Sequence, residues 1–148
     1  MVRIPVAGLN LLIRVHRAVF DATRGRAAAS LAGMPVLKLT TVGRQSGRSR
    51  DTMLTTPVRT DDRIVLVASN GGARRHPAWY LNLQADPLVT VTMAGRRRAM
   101  RARTATAAEK AELWGQIVAA YRGYAGYQDR TSRDIPVVIL EQAAGPSC

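Results

Sequence analysis

The sequence predicts a mainly-β α+β domain, an antiparallel barrel of six strands with helices at its periphery. Strand-length apolar runs are separated by hairpin-sized breaks, which argues for antiparallel neighbours. Helical periodicity occurs only at the start, between the third and fourth strands and before the sixth, too sparsely for a doubly wound sheet. The 148 residues suit one core, and a hydrophobic share of 47% is enough to offset the entropy of ordering the chain. The expected division is an N-terminal amphipathic helix over 1–33, a barrel over 34–143 and a tail over 144–148.

In the first segment, IPVAGLNLLIRVHRAVFDATRGR, Leu9, Leu12, Ile13, His16 and Phe20 recur at helical spacing, with Arg14, Arg17 and Arg24 offset from them. Such a helix either caps a barrel end or makes a peripheral contact with an anionic membrane surface. No small-residue cleavage site follows its apolar stretch, and Arg14 interrupts any spanning run, so neither a signal peptide nor a membrane span is expected.

After Ala32-Gly33 the period changes to two. PVLKLTTVG alternates Val36, Lys38 and Thr40 against Leu37, Leu39 and Thr41, the pattern of a half-buried strand. RDTMLTTPVRT follows as a second strand, and RIVLVAS, from Arg63 to Ser69, is a continuous apolar run to be buried on both faces. Asp61-Asp62 marks the turn between them. LVTVTMAG and RRRAMRARTAT form a hairpin around Ala94-Gly95, and IPVVILE closes the set. The middle helix begins at Pro77, stops at Asp86-Pro87, and carries Trp79, Asn82 and Leu83 on one side. The later helix opens with a capping box, Thr106 to Glu109, presents Trp114, Ile117, Val118 and Tyr121 as its stripe, and ends near Gly123.

Twenty-two Lys+Arg against ten Asp+Glu give a net charge of +12, and only Lys38 and Lys110 are not arginine. An anionic partner follows from clustered arginines rather than from scattered ones. A nucleic-acid-binding basic domain is the remote alternative, resting on the charge alone, and nucleic acid is not the expected partner because no interleaved stacking platform or recognition motif accompanies that charge. The sole cysteine, Cys148, excludes an intrachain disulfide and points to a reducing cytoplasm. No second histidine lies near His76, so no metal site is expected, and no nucleophile–base spacing stands out.

Three stretches carry candidate chemistry. TTVGRQSGRSR, Thr40 to Arg50, is a glycine-punctuated turn between two strands. Such a turn can aim main-chain N–H groups at one point while arginine forks meet phosphate oxygens in pairs, or it is simply a polar hairpin tip. It is not a Walker loop, for no Gly-Lys-Ser/Thr follows, nor a Rossmann turn, for a strand comes next. In ASNGGARRHPAWYLNL, Ser69 and Asn70 end the most buried strand. Gly71-Gly72 let the backbone approach a flat ligand, and Arg74 and Arg75 add charge. His76, just before Pro77, reads as a helix cap. In YRGYAGYQDR, Tyr121, Tyr124 and Tyr127 are three apart, either as core packing or as the aromatic wall of an apolar pocket.

Taken together, LTTVGRQSGRSR, VASNGGARRHPAWYLNL, DPLVTV and YRGYAGYQDRTSRDIPVVILE resemble the deazaflavin-dependent nitroreductase family of actinobacteria, oxidoreductases with a split β-barrel related to flavin-mononucleotide-binding barrels. The resemblance runs from Pro35 to Glu141 and implies a site for coenzyme F420, whose phosphodiester and oligoglutamate tail is polyanionic. On that resemblance Arg44, Gln45, Ser46 and Arg50 hold the phosphate and tail. Asp51, Thr52, Met53, Leu54 and Thr55 line the ring with Val67, Ala68, Ser69 and Asn70, largely through main-chain groups. Ala78, Trp79, Tyr80, Leu81 and Asn82 close over the cofactor. Tyr124 touches ring and substrate, with Tyr121 and Tyr127 shaping the substrate cavity.

The reaction implied is hydride transfer from reduced F420 to a small electron-poor acceptor such as a quinone, enone or nitro compound, with Ser69 and Tyr124 as the catalytic candidates. A non-catalytic F420-binding or storage protein would carry the same binding residues. Two positions depart from the family pattern. Asn70 stands where many members have lysine, shifting tail binding toward Arg74 or Arg75, and Thr55-Thr56 stand where some nitro-reducing relatives present tyrosine.

Overall fold

The computed structural model describes residues 30–31, 34–60 and 62–143. The amphipathic helix expected in the first segment and the tail over 144–148 therefore fall outside the described residues, except that Ser30 and Leu31 are a short strand. No helix among the described residues is long and apolar enough to cross a membrane.

Eight strands form one antiparallel sheet: β1 Ser30–Leu31, β2 Met34–Val42, β3 Ser49–Thr55, β4 Val58–Arg59, β5 Arg63–Val67, β6 Leu88–Met93, β7 Arg96–Thr104 and β8 Val137–Gln142. Among the described residues three helices accompany it, α1 Ala78–Ala85, α2 Ala107–Ala120 and α3 Gly123–Asp129, with a 3-10 turn at Asn70–Gly72. The fold is thus mainly β, as the sequence predicts. The six expected strands are joined by the two-residue β1 and β4, and the ladder does not close. It runs β3-β2-β6-β7-β8-β5-β4, with β1 added beside β2.

Pro57 explains the extra strand. Lacking an N–H, it breaks the expected Arg50–Thr60 strand, so that β3 pairs with β2 while β4 turns back onto β5 (Val58↔Val65, Arg59↔Ile64). Thr56, 1% exposed, holds the break: its N–H donates to the Pro35 carbonyl (3.0 Å) and its hydroxyl, with one proton to share, lies within donating distance of the Val58 and Val65 carbonyls (2.9 and 2.8 Å). At the β6–β7 hairpin Ala94 and Gly95 both have positive φ, 51° and 80°, the requirement of a two-residue type I′ turn.

Two apolar clusters share the sheet. Leu37, Leu39, Ile64, Leu66, Val89, Val91, Met100, Val138 and Leu140 point to one side, where α1 closes over them with Trp79, Tyr80 and Leu83. Val65, Val67 and Val137 point to the other, where α2 and α3 cover them with Ile117 and Tyr124. β5 is therefore buried on both faces, which is why its run is continuously apolar.

Helix α1 starts after Pro77, which is the N-cap rather than the first helical residue, and stops at Asp86. His76 caps nothing. Helix α2 begins with the expected capping box, Glu109 N–H donating to the Thr106 hydroxyl and Thr106 N–H to the Glu109 carboxylate. It ends at Ala120, before the expected Gly123, because Tyr121 turns to extended backbone (φ −154°) and a separate helix begins. Arg103 anchors the start of α2, donating to both Glu109 oxygens (2.7 and 2.9 Å) and to Glu141 on β8 (2.7 Å).

Candidate functional site

A cavity of about 1170 Å³ opens between the β2–β3 turn, the length of β3, the end of β5, the start of α1 and the tyrosines of α2 and α3. Its size exceeds the usual range for a drug-sized ligand, roughly 300–1,000 Å³, and so accommodates a long cofactor with an acceptor beside it.

The turn is built by its glycines. Gly43 N–H donates to the Arg48 carbonyl and Gly47 N–H to the Gly43 carbonyl, both at 2.8 Å, and Gly47 sits at φ 69°. A Cβ on Gly43 would lie 2.7 Å from the Ser46 hydroxyl, which would have to rotate away, and 3.2 Å from the Arg48 carbonyl, so a side chain there would loosen the turn. Ser46 Oγ accepts from Arg48 N–H at 3.2 Å and lies 3.5 Å from Arg50 Nη2. Helix α1 holds the turn from below. Asn82 Oδ1 accepts from Arg44 N–H (3.2 Å) and Arg44 Nη1 (2.9 Å), while Asn82 Nδ2 donates to Thr41 Oγ1 (3.2 Å). Arg44 and Arg50 thus face the same cavity as Arg75, against one carboxylate, Asp51, which accepts from Thr40 Oγ1 at 2.7 Å. The electrostatics favour an anion.

At the other end the Tyr121, Tyr124 and Tyr127 rings cluster, with centroids 5.3 to 6.3 Å apart and tilted or edge-on. They meet although Tyr121 caps α2 while the other two belong to α3, so one helical face is not what assembles them. Tyr124 is 6% exposed, and its hydroxyl lies 3.2 Å from Thr55 Oγ1 and 3.9 Å from Met34 Sδ. Burial raises its pKa, with Thr55 pulling the other way and Tyr121 adding to the rise. Burial likewise pushes Tyr127 up to about 12, helped by a hydrogen bond with Tyr121. Both hydroxyls therefore remain protonated donors at neutral pH.

Between these ends, Ser69 closes β5 and is 8% exposed; its hydroxyl does not cap the Asn70–Gly72 turn that it begins. A buried hydroxyl beside a cavity that leaves its own turn uncapped can serve a ligand as donor or acceptor. The turn itself is conformationally demanding: Asn70, Gly71 and Gly72 have φ of 47°, 65° and 80°. Gly72 also packs so closely under α3 that a Cβ there would lie 2.8 Å from the Tyr127 carbonyl.

Of the residues singled out in the sequence, Arg44, Gln45, Ser46 and Arg50 line the cavity, as do Asp51, Thr52, Met53, Leu54 and Thr55. Val67, Ser69, Asn70, Ala78, Trp79 and Asn82 join them, with all three tyrosines. Three do not line it. Ala68 and Tyr80 are in the core under α1, and Leu81 packs against that core. Tyr80 instead places its hydroxyl 2.9 Å from Thr104 Oγ1 and accepts from Gln84. Of the two arginines offered as substitutes for a lysine, Arg75 lines the cavity and Arg74 does not.

Sequence reasoning passed over Arg133. Its guanidinium donates to the carbonyls of Ala68, Ser69 and Ala73 at 3.3, 2.8 and 2.8 Å, and Nη1 lies 3.1 Å from His76 Nδ1. His76 lines the cavity and packs on Tyr80 with centroids 5.0 Å apart. Burial, and then the Arg133 charge, lower its pKa. No signal marks Arg133 among twenty arginines, because its partners are main-chain carbonyls. Met34 was also missed; it lies just upstream of the alternating run and supplies cavity wall beneath Tyr124.

Comparison with known proteins gives concordant matches. Residues 12–142 match the family model described as F420H(2)-dependent quinone reductase. An F420H(2)-dependent quinone reductase of Mycobacterium tuberculosis is 40% identical over 134 residues, spanning 87% of this chain and 89% of its own. A solved structure described as an F420-H2 dependent reductase, FDR-A, superposes with a TM-score of 0.66 at 38% identity, covering 72% of this chain and 94% of that one. Another, described as a domain-swapped dimer, gives 0.68 at 32% identity, covering 89% of this chain and 98% of that one.

Proposed function

The chain belongs to the F420H(2)-dependent quinone reductase family, and from that premise we propose that it binds coenzyme F420 in the cavity and reduces a quinone-type acceptor beside the tyrosine cluster. The observation that carries this reading is the polarity of the cavity. Arg44 and Arg50, at the β2–β3 turn, line one end and the three tyrosines the other, where Tyr124 meets Thr55 at the far end of β3, with Arg75 elsewhere on the wall. That arrangement suits a ligand with an anionic tail and a flat head.

The residues present fit such a group. Arginine forks and the glycine-closed turn answer phosphate and carboxylate oxygens. Ser69 offers a buried hydroxyl that does not cap its own turn, and among the described residues β3 presents a sheet edge with a neighbour on one side only. On this reading the sheet is a split β-barrel of the flavin-mononucleotide-binding type, with the cofactor laid along β3.

Reduced F420 supplies the hydride; the carbon chemistry is the cofactor's own. The protein's part is to hold the two flat systems about 3 to 3.5 Å apart and to meet the charge that develops on the acceptor oxygen. Tyr124 is suited to that second task because burial keeps its hydroxyl protonated. Thr55 Oγ1, 3.2 Å away, orients it. Ser69 is the second donor. The proton that completes reduction can arrive from solvent after the hydride, so no titrating dyad is needed.

The test is to titrate the protein separately with F420 and flavin mononucleotide, then to follow oxidation of F420H2 with menadione. Preference for F420 and turnover are expected. Binding without turnover on any quinone, enone or nitro compound would make this a storage protein, and preference for flavin mononucleotide would remove the reading.

A further inference from the structure

Arg133 lies in the loop between α3 and β8, and the hydrogen bonds of its guanidinium all reach one stretch of chain, Ala68 to His76. Its partners are three carbonyl oxygens and a ring nitrogen, with no carboxylate among them. A guanidinium is planar and always charged, so its N–H groups set the directions from which those carbonyls must approach. The stretch it grips includes the three successive positive-φ residues Asn70, Gly71 and Gly72. Conformations of that kind persist only where the surroundings over-determine them. The Asn70 side chain adds one tie, Nδ2 to the Arg75 carbonyl at 3.1 Å, and Gly72 N–H another, to the Ser69 carbonyl at 2.8 Å. Arg133 supplies the rest.

The same guanidinium settles the chemistry of His76. A permanent donor 3.1 Å from Nδ1 requires that nitrogen to accept, so the ring is neutral and its proton is on Nε2. His76 lines the cavity and therefore has an N–H, and no lone pair, to offer a ligand. Phosphate, carboxylate and carbonyl oxygens are what such a group recognises.

We propose that Arg133 is a positioning residue of the cofactor site: it fixes the main chain of Ala68 to Ala73 and holds His76 as the Nε2–H tautomer, through which His76 donates to an oxygen of bound F420. The proposal rests on F420 being the ligand of the cavity, but its first measurement needs no ligand. In the full chain labelled with ¹⁵N-histidine, with His16→Gln assigning the second signal, His76 shows an unprotonated Nδ1 and a protonated Nε2 at neutral pH. Arg133→Lys, which keeps the charge and loses the fork, gives averaged tautomers and binds F420 about tenfold more weakly, the loss of one hydrogen bond to a charged group. His76→Gln retains a donor near the Nε2 position and most of the affinity, whereas His76→Phe shows the tenfold loss. Thermal denaturation confirms that each variant is folded.

An Nδ1–H tautomer or an imidazolium in the wild type overturns the proposal, and so does an Arg133→Lys protein with unchanged ring signals and unchanged affinity. If Arg133→Lys does not fold, the wild-type tautomer and the His76 pair still decide. A wild type that binds no F420 defeats the cofactor reading instead, while the ring signals continue to report whether Arg133 sets His76.

Discussion

The Asn82 carboxamide oxygen accepts from both the main-chain N–H and the guanidinium of Arg44, at 3.2 and 2.9 Å, so one α1 side chain fixes the conformation and the charge of the β2–β3 turn together. Asn82 is 4% exposed and reaches Thr41 with its other end, leaving little freedom at the joint. Asn82→Ala strands these donors, and a loss of about 1–3 kcal/mol in folding stability is expected by urea denaturation. F420 affinity falls with it, because Arg44 is no longer held. A variant with wild-type stability and affinity would show that the turn keeps its shape without the helix.

Arg50 tests the anion end without disturbing that joint. Among the described residues its guanidinium has only the 3.5 Å approach to Ser46, so Arg50→Ala removes charge more than structure. F420 binding weakens by about 1.5–3 kcal/mol, as for a lost hydrogen bond to a charged group. The loss shrinks for a truncated cofactor lacking phosphate and glutamates. An equal loss for both would place Arg50 at the ring.

Tyr124→Phe keeps the ring in its cluster and removes the hydroxyl beside Thr55. Turnover with menadione drops on the order of 10²-fold, the usual cost of one donor to a developing oxyanion, while F420 affinity changes little. An unaltered rate would leave Tyr124 with packing alone.

Acid stability should report on Arg103. Its hydrogen bonds to Glu109, followed by the Thr106 N–H, lower the Glu109 pKa from 4.5 to about 2. Between those values the unfolded chain binds the extra proton, so this contribution is complete above pH 4.5 and disappears as pH falls toward 2. Arg103→Gln therefore flattens the decline in thermal midpoint over that range. An identical slope in the variant would mean the pair leaves acid stability unchanged.

How far the fold could be read from sequence depended on whether a residue's partner lay nearby in the chain. The Thr106–Glu109 box, the Asp86 stop and the Ala94-Gly95 hairpin are local, and each appears where the pattern puts it. Pro57 was visible, but its effect was not, since the exchange of β2 for β5 as strand partner is a long-range event. In the cavity, the arginines of the turn were legible from type and spacing, whereas the β3 residues were expected from the family resemblance alone. Tyr80 and Ala68 were misplaced because helix and strand neighbours face opposite ways. Arg133 was invisible for a different reason: carbonyl acceptors leave no trace in composition.

Among the described residues, β3 has a neighbour on one edge only. Every second peptide unit along its other edge takes no part in the ladder, and residues 50–55 border the cavity. Recognition made through such groups is written in the main chain and survives exchange of side chains. If F420 is held through these groups, exchange at Thr52, Met53 or Leu54 would retune which oxidant is admitted while the grip on the redox partner stayed the same.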